Sequence, residues 1–207
     1  VLLGLEGHRP DEIEPESIGV GKGTVQLEDF ERTALILSLG HNPGTNHPRM
    51  LATLRAAAKR GVPLLVFNPL RERGLERFRS PQDPVEMLTG GATELATHYF
   101  QPRIGSDTQV LQGLMKRVLE RGAVDREFVA AHTTSFDALA AQLEALDWDA
   151  LCSSTGLTRE EFDRAGGLYA AAPSAIVAYG MGITQHAHGT QNVQQIANLL
   201  LLRGNVG

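Results

Sequence analysis

Apolar residues in this chain occur in two patterns, short unbroken blocks and stripes at helical spacing. Ala34-Leu35-Ile36-Leu37-Ser38-Leu39 is a block that ends at Gly40. A run of that length bounded by glycine predicts a strand buried on both faces of a parallel sheet. Pro63-Leu64-Leu65-Val66-Phe67 and residues 174–179 predict two more such strands, and residues 96–100 a third short one. Between the first two blocks, Pro48 stands where the first turn of a helix tolerates proline. Met50, Leu51, Leu54, Ala57 and Ala58 then recur at helical spacing up to Gly61. The unit has the length that a strand–helix–strand crossover requires.

Further helices are predicted over 107–120, 125–131, 135–146, 158–171 and 190–202. In the first, Asp107 is placed to cap a helix whose apolar face is Val110, Leu111, Leu114, Val118 and Leu119. In the fourth, Thr158 is followed three residues later by Glu161, the capping-box arrangement. The last carries Val193, Ile196, Ala197, Leu200 and Leu201 on one side. Residues 70–94 are charged and broken by Pro81, Pro84, Gly90 and Gly91, which predicts an excursion on the surface. Residues 1–32 are turn-rich, with a loop at Gly19-Val20-Gly21-Lys22-Gly23-Thr24 and a short helix near 27–31. Strands alternating with helices indicate an α/β layer fold.

Composition narrows the function classes. Nineteen basic against 24 acidic residues give a net charge of −5. That balance excludes a strongly basic nucleic-acid platform and gives no polybasic membrane surface. Cys152 is the one cysteine, so the chain itself holds no disulfide framework and no multi-cysteine metal or iron–sulfur site. A lone thiol is compatible with a reducing, cytoplasmic setting, and without a flanking histidine Cys152 reads as inert. No apolar run approaches the ~20 residues of a membrane span. The chain starts at Val1 and ends on Gly204-Asn205-Val206-Gly207, and it reads as a piece of something longer.

Three loops follow predicted strands, at residues 40–46, 68–73 and 180–188. In open α/β sheets the carboxyl edge of the strands is where ligands bind. Gly40-His41-Asn42-Pro43-Gly44-Thr45-Asn46 mixes glycine with amides at a helix entrance, and backbone N–H groups there suit phosphate. Asn42 and Asn46 serve equally well as turn and cap residues. The loop lacks the three-glycine dinucleotide spacing, and Gly21-Lys22-Gly23-Thr24 lacks the order of a phosphate loop. In the 180–188 loop, glycines flank a polar core containing Gln185, His186 and His188. Two histidines without a third ligand do not make a zinc site, and no metal ligand is assigned. Spacing also assembles no nucleophile–base pair, so no catalytic residue is assigned.

Several of these motifs carry a resemblance. Glu16-Ser17-Ile18-Gly19-Val20-Gly21-Lys22-Gly23-Thr24-Val25, followed by Gly40-His41-Asn42-Pro43-Gly44-Thr45-Asn46-His47-Pro48, resembles the formate-dehydrogenase-like branch of the molybdopterin oxidoreductases. Gly105-Ser106-Asp107, Phe128 with Ala131-His132, and Gly180-Met181-Gly182-Ile183-Thr184-Gln185-His186 occur in that family's order, as does the closing stretch from Asn198 to Gly207. The resemblance implies an internal portion of a longer enzyme. Residues 1–32 would be a lead-in from a preceding part, and 33–207 a Rossmann-like domain, a mostly parallel sheet with helices on both faces. That domain would embrace one pterin–guanine dinucleotide half of a bis-molybdopterin guanine dinucleotide (molybdenum) cofactor. Its partners would be the remainder of the same polypeptide and a small-molecule substrate.

The 4Fe-4S cluster of the family belongs to an N-terminal part outside this chain. The cysteine or selenocysteine that ligates molybdenum would fall upstream of Ile18, where Leu5-Glu6-Gly7-His8 offers none, and Cys152 does not match its position. Residue by residue, Gly40, Asn42 and Asn46 would contact phosphate or pterin groups. Asn68 and Pro69 stand where the family has an acid and a proline, with Leu70 in place of an arginine. Gly105 and Asp107 match a loop that holds the guanine base, and Met181 and Gln185 match positions near the pterin. The implied activity is an oxidoreductase that draws electrons from a small substrate, with the fragment inactive alone. The alternation of elements also suits a second reading, a non-catalytic Rossmann-like module for a nucleotide or a protein partner, such as the central domain of a thiamine-diphosphate enzyme.

Overall fold

The computed structural model describes residues 2–4 and 25–205. Five strands form one parallel sheet: β1 (Leu2–Gly4), β2 (Ile36–Leu39), β3 (Leu64–Phe67), β4 (His98–Phe100) and β5 (Ile176–Tyr179). Their spatial order is β1-β5-β2-β3-β4. Ile36 of β2 is in register with Leu64 on one side and Ile176 on the other. The three apolar blocks thus lie side by side in the middle of the sheet. Every residue of β2, β3 and β5 is buried, as expected for strands covered on both faces. β1 lies in the stretch that the sequence pattern assigns to turns. The loop motif at residues 19–24 and most of the 16–25 motif lie outside the described residues.

Alternation along each strand divides the interior in two. Leu37, Leu39, Leu65, Phe67, Val177 and Tyr179 point to one core, whereas Ile36, Leu64, Val66 and Ile176 point to the other. The smaller core is covered by α2 (Pro48–Lys59), which follows the single turn α1 (Pro43–Asn46) and contributes Leu51, Leu54 and Ala57. Phe30, from a 3₁₀ helix at Leu27–Glu31, completes it.

Residues 70–94 are more ordered than a surface excursion implies. They contain α3 (Arg73–Glu76), α4 (Pro84–Thr89) and a two-stranded antiparallel ribbon pairing Arg77–Phe78 with Thr93–Glu94. Leu75 is wholly buried in the smaller core. Arg55 of α2 pairs with Asp83 and with Glu86 (2.6 Å), which pins the segment to the domain. Sequence spacing could not show this, because the tie joins residues 28 and 31 positions apart.

The larger core is covered by α5 (Asp107–Glu120), α6 (Arg126–His132), α7 (Phe136–Glu144), α8 (Trp148–Thr155), α9 (Arg159–Ala171) and, after the turn α10 (Met181–Thr184), α11 (Gly189–Leu201). The fold is therefore α/β with a parallel sheet and helices on both faces. α8 is an addition to the sequence pattern, which leaves Cys152 between helices. Its signals are Asp147, whose carboxylate accepts from Ala150 N (2.8 Å), and Gly156 in the left-handed region at φ 73°. Thr158 and Glu161 form the expected capping box on α9. α5 and α9 approach closely at Gly166, where a Cβ would come within 2.6 Å of Arg117 Cβ.

Candidate functional site

In the strand order, β2 leads on to β3 and β4 in one direction, whereas β5 lies on its other side. The chain reverses its direction of progress between β2 and β5, so their two following loops diverge at a topological switch point. Ligands bind in the crevice outside the carboxyl ends of strands at such a point. The 40–46 and 180–188 loops meet there: Gly180 N donates to Leu39 O (3.2 Å) and Gly182 N to Gly40 O (3.1 Å). A cleft of about 680 Å³ opens between them, within the range of small-molecule sites.

The backbone must come this close for the cleft to exist. A Cβ on Gly182 would lie 2.6 Å from Gly40 O, and one on Gly180 would lie 3.0 Å from the same oxygen. Gly40 itself has φ +52°, a conformation costly for other residues. Glycines in this loop pair hold backbone against backbone.

Eight of the nine expected site residues line the cleft: Gly40, Asn42, Asn46, Asn68, Pro69, Gly105, Asp107 and Met181. Gln185, exposed at the end of α10, is outside the lining. The phosphate expectation for the first loop changes in detail. Thr45 N is taken by Asn42 Oδ1 (3.2 Å), and Asn46 N by Asn42 O (3.1 Å). Pro43 and Pro48 have no N–H to offer. What this loop can present to a ligand includes side-chain amide, from Asn42 and the exposed Asn46. Asn68 Oδ1 accepts from Leu70 N (3.4 Å), and Leu70 is exposed outside the lining.

Asp107 differs from the simple cap that its position suggests. The N-cap of α5 is Ser106, whose hydroxyl donates to Arg103 O (2.7 Å), and Asp107 is the first helical residue. Its carboxyl is half-buried in the cleft wall, and desolvation pushes its pKa up while the nearby His186, and then a hydrogen bond from its own backbone N–H, pull it down. A desolvated carboxylate with spare acceptor capacity favours an N–H donor from a ligand.

The site's setting depends on Asn192 of α11, which is 3% exposed. Its Nδ2 donates to Ile183 O (3.1 Å), and its Oδ1 accepts from Thr108 Oγ1 (2.6 Å). One amide thus ties α10 to the first turn of α5, beside Asp107. Sequence reasoning also missed His41, His47, Glu72 and Arg103 in the lining. Arg103 follows β4 by three residues, so the carboxyl-edge rule applied to that strand as well would have found it. Its guanidinium donates to Ser153 O, which holds it against the end of α8. His41 is 3% exposed, and burial, with His47 second, lowers its pKa to about 4. Among the described residues no group of three or more His, Cys, Asp or Glu side chains converges as a metal site. Cys152 is free and half-buried, and desolvation raises its pKa.

A family profile described as molybdopterin oxidoreductase matches residues 13–207. Protein YdeP of Escherichia coli (strain K12) is 51% identical over 201 residues, covering 92% of this chain and 26% of that protein. An uncharacterized oxidoreductase of Mycobacterium bovis is 37% identical, covering 93% and 25%. Formate dehydrogenase H of Escherichia coli (strain K12) is 26% identical, covering 93% and 24%. Among solved structures, acetylene hydratase from Pelobacter acetylenicus aligns with a TM-score of 0.72 at 21% identity, over 86% of this chain and 22% of that one. At that identity the likeness concerns the fold. The chain spans about a quarter of the length of these relatives.

Proposed function

The chain belongs to the molybdopterin oxidoreductase family, and from that premise we propose that it is the cofactor-embracing portion of a larger, molybdenum-dependent, formate-dehydrogenase-like enzyme of the cytoplasm. Its ligand is one pterin–guanine dinucleotide half of a bis-molybdopterin guanine dinucleotide. The cleft residues suit such a group. Glycine backbone at the switch point lets the two loops that border the cleft pack against each other, the amides of Asn42 and Asn46 offer donors, and Asp107 offers a partly desolvated acceptor. Asp107 carries the assignment. A carboxylate can accept from both guanine N1–H and N2–H, whereas adenine presents no such donor pair.

When bound, the cofactor supplies the two-electron chemistry on a small substrate, and this chain supplies binding and orientation. Gly40, Gly180 and Gly182 hold the two bordering loops together, Asp107 holds the base, and Met181 covers an apolar part of it. Iron–sulfur relays and the metal-ligating residue belong to other parts of the polypeptide, and the isolated chain is inactive in turnover.

Calorimetric titration with guanosine diphosphate and adenosine diphosphate tests this reading. The guanine nucleotide should bind more tightly. Asp107→Asn should weaken it by roughly 5- to 150-fold, the equivalent of about 1–3 kcal/mol for hydrogen bonds to a charged group. Equal binding of the two nucleotides, or unchanged affinity in a folded Asp107→Asn chain, would remove the assignment.

A further inference from the structure

Two histidines stand together in the cleft wall. His41 leaves β2, and His47 joins α1 to α2; their ring centroids are 5.5 Å apart, and His41 Nε2 lies 3.4 Å from His47 Nδ1. The other nitrogen of His41, Nδ1, is buried without a hydrogen-bond partner. Gly180 packs closely against this residue, since a Cβ there would meet His41 Cβ at 3.2 Å.

The geometry allows two neutral arrangements. In one, His47 Nδ1–H donates to His41 Nε2, and the proton of His41 sits on Nδ1, where no acceptor exists. In the other, His41 Nε2–H donates to His47 Nδ1, and His41 Nδ1 is only an idle lone pair. A buried donor left unpaired is the rarer and more costly fault, so the second arrangement is favoured. It leaves the proton of His47 on Nε2. Because Nδ1 of His47 is engaged by His41, Nε2 is the nitrogen available to a ligand in the cleft. Burial lowers the pKa of His41 and so favours its neutral form. The other titratable or charged groups on the cleft wall are Glu72, Arg103, Asp107 and His186.

We propose that His41 is a positioning residue that holds His47 in its Nε2–H tautomer, giving the cleft a neutral hydrogen-bond donor for an oxygen of the ligand. The choice of ligand rests on the reading of the cleft above, whereas the tautomer does not.

Nitrogen-15 imidazole spectra of the ligand-free chain test the pair, with His47 assigned by a His47→Gln variant. The wild type should show His47 with a protonated Nε2 and a bare Nδ1 near neutral pH. His41→Leu, which removes the donor, should give mixed His47 tautomers, and His41→Gln, whose amide can donate to Nδ1, should restore the single form. A protonated Nδ1 in the wild type, or an unchanged tautomer in folded His41→Leu, would overturn the proposal. Guanosine diphosphate affinity provides the second readout. It should fall about 3- to 10-fold in His41→Leu and in His47→Leu, a loss of the size expected for one neutral hydrogen bond, and recover in His41→Gln. Unchanged affinity in both leucine variants would overturn the donor role. If the wild type fails to bind the nucleotide, the reading of the cleft fails instead, and the tautomer spectra alone decide the pair.

Discussion

Replacing His41 by leucine should flatten the acid side of the stability profile. In the folded chain the His41 pKa lies near 4, against 6.5 for the ordinary side chain. Between those values the unfolded state binds a proton that the folded state refuses, so stability falls as pH falls from 6.5 and levels off below 4. At about 1.36 kcal/mol per tenfold, this amounts to a loss of about 2 kcal/mol by pH 5 and about 3 kcal/mol by pH 4. The ring is almost wholly enclosed, so solvent screening discounts little of this. Asp107 acts in the opposite sense. Its raised pKa means that protonation at low pH relieves a burial cost, so the comparison is best made in an Asp107→Asn background as well. The assay is urea unfolding from pH 7.5 to 4, followed by fluorescence of Trp148, the single tryptophan. That indole is held by Glu120 Oε1 at 2.8 Å and by the Arg159 guanidinium 3.9 Å above its ring. His41→Leu should lose less stability than wild type over this range by about the amounts given. Parallel profiles for the two proteins would refute both the burial and the neutrality of His41.

Two further outcomes follow from geometry. Gly182→Ala puts a methyl group 2.6 Å from a backbone oxygen that no rotamer change can move; it should cost roughly 1–3 kcal/mol in urea unfolding and weaken guanosine diphosphate binding, and a variant matching wild type in both would mean that the two loops are not held together. Glu86 has its pKa lowered to about 2, first by the Ser80 N–H and then by Arg55. Its contribution is present above 4.5 and lost as pH falls towards 2, so Glu86→Gln should lower the thermal midpoint at neutral pH and narrow the gap to wild type between pH 4.5 and 2; a gap that stays constant over that window would contradict this.

The chain determines its strands and most of its helices locally, because both signals are short-range. Ile36–Leu39, Leu64–Phe67 and Ile176–Tyr179 are legible because a strand buried on both faces must be apolar at every position. α9 is legible from the Thr158–Glu161 capping box, and α2 from its spaced apolar stripe. The three carboxyl-edge loops also follow from sequence, since a parallel sheet places every strand's end on one side. Strand order is different. That β5 lies beside β2, making the switch point, joins residues about 140 positions apart, and no local pattern encodes it. Long-range separation likewise hid the Arg55–Glu86 tie and the Asn192 bridge, 31 and 84 positions across. It also hid what makes His41 distinctive. In the sequence His41 is one polar residue in a polar loop. In the structure Gly180, after β5, packs against His41, which is buried with His47 as its hydrogen-bonding partner, because burial is a property of what packs around a residue.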